Sequence, residues 1–236
     1  VSCGSLGIPS DIWVADDISI KAIIAGTGVT TDTIDYLTVA DSPTAASTTS
    51  ALPLGNAVVN GAFSSWTAGT SFSNISGSGT GVVVADAWYF TQPSAASNAV
   101  SRQTASGSQT RYALRFGRPT SSVSTNELRV WQMLPTDEAY RLRGQEVTFS
   151  FRAKAGATFS GTGLAVRLAT GTAEAESGDL IDAGTFTGHS SAIDQTQAIT
   201  TTATRYEFTA TLGASIKEVG IQFSFTGVGT AGATDY

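Results

Sequence analysis

An all-β fold, an antiparallel sandwich of two sheets, is what this sequence predicts, and three observations predict it. The first is the stretch Gly144-Gln-Glu-Val-Thr-Phe-Ser-Phe-Arg-Ala-Lys-Ala155, where Val147, Phe149, Phe151, Ala153 and Ala155 alternate with Glu146, Thr148, Ser150, Arg152 and Lys154. Side chains of a strand point alternately to opposite faces, so this stretch carries one apolar face and one polar face. A helix would scatter the two phenylalanines and the charges around its circumference. The second observation is composition: Gly, Ser, Thr and Ala abound, while β-branched and aromatic residues fall in short clusters, as in strands joined by many turns. The third is spacing, because eight or nine short runs of this kind follow one another with glycine turns between them.

Taken in order, residues 1–41 form a distinct opening segment. Ile12, Val14, Ile18, Ile20, Ile23 and Ile24 are apolar and β-branched, Asp16-Asp17 interrupts them, and Thr33-Ile-Asp-Tyr-Leu-Thr-Val39 is a second short run. The segment is too short to bury these side chains alone. It is expected to pack on the main domain, on a sister subunit or on a larger assembly, with Trp13 as an anchor. Residues 42–53, small and polar around Pro43 and without periodicity, read as a linker. The main domain is expected to span 54–236.

Within it, Asn56 to Trp66 reads as a short strand ending in an Asn60-Gly61 turn, and residues 67–81 as a Gly/Ser-rich loop. Val82 to Phe90, Ala99 to Thr104 and Tyr112 to Phe116 read as strands. In Glu127-Leu-Arg-Val-Trp-Gln-Met133, Leu128 and Val130 share one face, and Arg129 and Trp131 the other. Pro135 ends that run. Leu164 to Leu168, Arg205 to Leu212 and Val219 to Phe225 complete the set.

Several function classes drop out on composition. A formal charge of −6 offers no footprint for nucleic acid, whose binders cluster Lys and Arg. Lone Cys3 excludes an internal disulfide framework. No apolar run approaches the roughly 20 residues of a membrane-spanning helix. No signal peptide is visible, and a chain opening on Val rather than Met reads as a processed or partly represented polypeptide.

The pieces Asn60-Gly-Ala-Phe63 with Trp66, Ala85-Asp-Ala-Trp88, Tyr112-Ala-Leu-Arg115 and Leu142-Arg-Gly-Gln-Glu-Val-Thr-Phe-Ser-Phe-Arg-Ala-Lys154, in that order, resemble a family of jelly-roll modules. That family is related to carbohydrate-binding modules of the galactose-binding-like type and occurs in tail fibres and other appendages of bacteriophages. The resemblance covers about residues 56–236. It implies a jelly roll on a virion surface, commonly in a trimeric appendage, that recognises host-surface polysaccharide or decorates the particle, with residues 1–41 engaging other virion proteins. It also implies structural roles for Phe63, Trp66 and Trp88, which sit where the family packs its core. Two departures stand out. Related glycosidase-borne modules often carry an acidic residue after the Asn-Gly pair, near a structural calcium; here Ala62 and Ser64 occupy those positions, which puts that calcium in question. The family also usually continues with one more apolar strand beyond the position of Asp235-Tyr236, so a closing strand is either missing from this sequence or supplied by a neighbour.

No catalytic constellation is legible. His189 is the single histidine and sits in a polar loop, Thr187-Gly-His-Ser-Ser191, with no nucleophile elbow anywhere in the chain. Glu174, Glu176, Asp179 and Asp182 could supply paired carboxylates, but in a Gly-rich context they read as a solvated loop, with weak calcium binding the better of the functional alternatives. One Cys and one His argue against zinc, so neither a metal nor a cofactor is assigned. Sugar binding needs an aromatic face and converging polar groups. Trp131 is the candidate platform, with Arg129 on its face and Arg167 and Gln222 projecting from other strands. The alternative reading of Trp131 is core.

Overall fold

The computed structural model describes residues 56–75, 81–92, 98–105, 110–118, 125–157, 159, 161, 163–174, 176 and 185–226. All of them fall in the compact unit of residues 56–236; the opening segment 1–41 and the linker 42–53 lie outside the described residues. The regular secondary structure of the described part is almost all antiparallel strand, with one short helix. In chain order the elements are β1 (Ser71–Ser73), β2 (Val82–Val83), β3 (Tyr89–Thr91), β4 (Ala99–Thr104), β5 (Tyr112–Gly117), β6 (Leu128–Met133), α1 (Thr136–Arg141), β7 (Glu146–Ala153), β8 (Leu164–Gly171), β9 (Ser190–Gln197), β10 (Thr204–Thr211) and β11 (Glu218–Phe225).

One layer is a six-stranded sheet of order β2-β3-β6-β11-β8-β9; the other consists of a three-stranded sheet, β1-β4-β5, and the pair β10-β7. Period-two side chains fill the space between the layers. Leu128 and Val130 on β6, Val219, Ile221 and Phe225 on β11, and Leu164, Val166 and Leu168 on β8 are buried in one cluster with Val100, Phe116 and Phe149 of the opposite layer. The predicted apolar face of β7 points inward as expected. Phe149 is buried, Phe151 is half-buried, and both pack against the Phe223 ring, at 5.7 and 4.9 Å. Tyr206 and Phe208 of β10 lie opposite Phe151 and Phe149, so the pair β10-β7 turns one aromatic face inward. Trp66 and Trp88 are buried in the same core.

The structure differs from the sequence reading at several local points. Residues 56–66 hold no strand. Asn60 adopts φ +49, a left-handed conformation that asparagine tolerates. Its side-chain amide donates to the carbonyls of Ser65 and Asp86, and its Oδ1 accepts from the N–H groups of Ser64 and Ser65. Asp86 in turn accepts from Thr67 N–H at 2.8 Å and from the hydroxyls of Thr67 and Ser65. These neutral donors hold its carboxyl below the usual aspartate range. The run 82–90 is two strands, because a turn closes Val84 N–H onto Trp88 C=O and Ala87 takes φ +67. Ser71–Ser73 is a strand inside the expected loop, and β9 is a strand with no alternation to announce it. A short helix follows Pro135, which supplies its fixed φ just ahead of the first turn. The chain leaves it through Gly144 at φ +65, a conformation glycine accepts without steric cost.

Candidate functional site

The outer face of the six-stranded sheet carries a transverse row of polar and aromatic side chains. Cross-strand register places Tyr89 of β3 opposite Trp131 of β6, Trp131 opposite Gln222 of β11, Gln222 opposite Arg167 of β8, and Arg167 opposite Asp194 of β9. Because the side-chain period is two, partners in register share a face, and five strands contribute one residue each to a single line. The structure therefore brings three of the four sequence-predicted residues together. Arg129, two residues from Trp131, lies one row over, opposite Ser224 and Thr91.

Trp131 is not an exposed platform, and this corrects that expectation. The face was read rightly, since Leu128 and Val130 enter the sandwich core while Trp131 points the other way. Yet Trp131 is only 2% exposed, held in a small second cluster with Ala169 and Phe186, against which Tyr89 and Met133 pack. Its indole N–H donates to Thr91 Oγ1 at 2.7 Å, and Gly81 (φ +74) passes so close that a Cβ there would lie 3.0 Å from the ring. The chain itself supplies the cover that a large outward-facing ring demands. The aromatic surface passes to Tyr89, which stacks on Trp131 with ring centroids 4.4 Å apart and an interplanar angle of 10°, and which is half-buried.

The polar members are arranged around that stack. Arg167 donates from its two terminal nitrogens, at 3.4 Å each, to Gln222 Oε1 and Asp194 Oδ2. Its Nε is buried with no hydrogen-bond partner. Gln222 is 3% exposed, so its amide forms the floor of the row rather than its rim. Arg129 bonds both its Nε and a terminal nitrogen to Glu127 Oε2, at 2.8 and 2.7 Å. The arrangement is an aromatic ring with two guanidinium groups, two carboxylates and an amide on the same face of the sheet, groups that bind vicinal hydroxyls when they converge. Sequence reasoning missed Tyr89, Asp194 and Glu127. The signal for Tyr89 was present in the alternation of Trp88, Tyr89 and Phe90, whose outer members are core; none existed for Asp194, which enters only through register.

The acidic loop serves a different purpose. Glu174 accepts from the Tyr140 hydroxyl and pairs with Lys217 at 3.1 Å, which lowers its carboxyl from the ordinary glutamate value. Glu176 accepts from Thr187 N–H and hydroxyl, and its own N–H donates to Glu218. Glu218 is 4% exposed, and desolvation, with the Glu176 carboxylate as a lesser cause, pushes its carboxyl up. Asp179 and Asp182 lie outside the described residues. Among the described residues no three metal-ligating side chains gather, and no helix is long and apolar enough to cross a membrane. His189 sits beside Phe186, its Nε2 buried and without a hydrogen-bond partner.

No protein-family model matches the chain, and no curated protein is similar to it in sequence. Among solved structures, the enzymatically active domain of tailspike protein 4 of bacteriophage CBA120 is similar to it over 61% of this chain and 18% of that one, at 10% identity and a TM-score of 0.38. A carbohydrate-binding module, CBM4, is similar over 75% of this chain and 92% of its own, at 17% identity and a TM-score of 0.35. Neither likeness is close enough to carry a site across.

Proposed function

We propose that residues 56–236 are a glycan-binding module of a phage-particle appendage, non-enzymatic and anchored to its assembly through residues 1–41. The observation that supports this reading is the transverse row: one half-buried ring, Tyr89, backed by Trp131 and in line with Gln222, Arg167 and Asp194 on the strands beyond it. A rigid sheet sets their spacing, which is what a low-affinity site for a repeating polysaccharide requires. Several copies on a particle surface, three in a trimer, would multiply weak single-site binding by effective concentration. The resemblance in the Asn60–Phe63, Ala85–Trp88 and Leu142–Lys154 pieces gives the phage setting. A glycan array probed with the full chain tests the reading. Binding to a polysaccharide class that drops about tenfold or more in both Tyr89→Ala and Arg167→Ala would support it; absence of binding at any density would sink it.

A second reading, a structural decoration or spacer without glycan binding, rests on the pairing on this face. Arg167 and Arg129 already bond to Asp194 and Glu127, and Trp131 is covered. Under that reading the full chain assembles on particles normally and every array spot stays dark.

A further inference from the structure

A separate cluster of side chains lies at one end of the β4-β5 hairpin, in a different sheet from the transverse row. Cross-strand register pairs Val100 with Phe116, Arg102 with Leu114 and Thr104 with Tyr112, so these six residues share one face. Val100 and Phe116 are buried in the core, which makes that face the inward one. Arg102 therefore stands where the alternation calls for an apolar residue, and it is half-buried. An arginine drawn partly out of water in this way ordinarily has an acid partner. Arg102 has none among the described residues. Its guanidinium carbon lies 4.4 Å from the centroid of the Tyr112 ring, and its side chain makes no hydrogen bond or ion pair there. Arg111, which is exposed, places its guanidinium carbon 5.1 Å from the same centroid and is likewise without a carboxylate or carbonyl partner among the described residues. Ala105 N–H bonds Arg111 C=O at 3.0 Å, which carries the hairpin ladder past Tyr112 and holds the Arg111 backbone in place.

Two like charges gathered on one ring repel, and the negative face of the ring offsets only part of that repulsion. Contact through the ring face also leaves the N–H groups along each guanidinium edge to other partners. Elsewhere Arg129, Arg141, Arg167 and Arg205 each meet a carboxylate, in a chain with 19 acidic and 13 basic residues. Acid is plentiful in this molecule, yet none is placed at Tyr112. The group that completes the pair is an oxyanion, whose oxygens accept from planar guanidinium forks and whose charge cancels the repulsion. A neutral sugar would stack on an open ring, whereas two guanidinium groups already lie over this one. We propose that Arg102 and Arg111, positioned by Tyr112, form an oxyanion-binding site for a carboxylate, sulfate or phosphate group, carried by a small ion or by an acidic sugar unit. The site shares no residue with the transverse row and stands or falls separately from it.

The test is isothermal titration calorimetry on the full chain with three probes: inorganic phosphate, a short oligomer of galacturonic acid, and that oligomer with its carboxyls reduced to alcohols. At least one of the two anions should bind, more weakly as salt is added, and the reduced oligomer should not. Tighter binding of the acidic oligomer than of phosphate assigns the anion to a glycan; binding of phosphate alone assigns it to a small ion. Arg102→Gln and Arg111→Gln should each weaken the anion about tenfold, the loss of one charge-assisted contact. Arg111 is exposed, so its variant keeps the test independent of any folding loss at Arg102. Tyr112→Phe keeps the ring and should bind as the parent does, whereas Tyr112→Leu should lose affinity with both arginines still present. Three results would each overturn the proposal: no binding of either anion at millimolar concentration, undiminished binding in both arginine variants, or equal binding of the reduced oligomer.

Discussion

Truncating Phe149 to alanine is the most direct probe of the core. The side chain is 8% exposed, lies opposite Phe208, and packs between Phe151 at 5.6 Å and Phe223 at 5.7 Å. Removing a buried phenylalanine ring typically costs about 3–5 kcal/mol, the transfer free energy plus the cavity left behind. Here the site adjoins an open cleft between β5 and β7, of about 670 Å³, so water can enter the space vacated, and the lower end, about 3 kcal/mol, is expected. Phe151 lines the same cleft and is half-buried, so less apolar surface returns to water on its truncation, and about 2 kcal/mol is expected. Thr148 is exposed and shares only a 3.2 Å hydroxyl contact with Thr209; Thr148→Ala should stay within about 0.5 kcal/mol. Urea titrations followed by tryptophan fluorescence read all three, with midpoints compared at equal slope. Against a domain stability of about 5–15 kcal/mol, the Phe149 effect is large enough to separate clearly from the Thr148 control. Equal, small shifts at all three positions would refute the inward assignment of this face, and a Phe151 loss matching that of Phe149 would refute the unequal burial.

Two further outcomes follow from the outer face and the sheet end. Trp131→Ala should destabilise by about 3–5 kcal/mol, because the ring is buried and its N–H bonds Thr91; a melting transition left unchanged would show the ring to be dispensable cover. Glu218 has its carboxyl raised above the ordinary value of 4.5, so the folded state holds that proton more tightly than the unfolded chain. Its contribution is present below pH 4.5 and is lost as pH rises through the folded-state value. Glu218→Gln keeps an acceptor for Glu176 N–H and removes the ionisation, so the variant should gain on the parent as pH rises above 4.5 in paired denaturation curves. A difference independent of pH would refute the assignment.

What could be read from the sequence divides along a physical line. Period-two alternation gave β6, β7 and β11 their faces, because each exposes one face to the core and one away from it, and the choice between them is made by side chains two residues apart. β9 escaped because Ala192 and Ile193 are its only apolar residues, adjacent and therefore on opposite faces, so nothing in its own sequence separates strand from loop. The assignment for Trp131 was right in orientation and wrong in exposure for the same reason. Orientation is set locally by Leu128 and Val130, whereas burial is set by Gly81, Tyr89 and Phe186, which the fold delivers from remote parts of the chain. Gln132 shows the converse. It lies on the inner face with Leu128 and Val130, where a polar amide looks misplaced by pattern alone. It is fully buried there because its Oε1 accepts from Val59 N–H at 2.9 Å and its Nε2 donates to the carbonyls of Val59 and Ala87. That single side chain satisfies backbone groups of a segment that forms no strand, and so ties residues 56–66 to the sheet. The row on the outer face depends on the same kind of information. Trp131, Gln222 and Arg167 could each be placed on a face from sequence, but only register makes them neighbours, and register is a property of strand pairs rather than of strands.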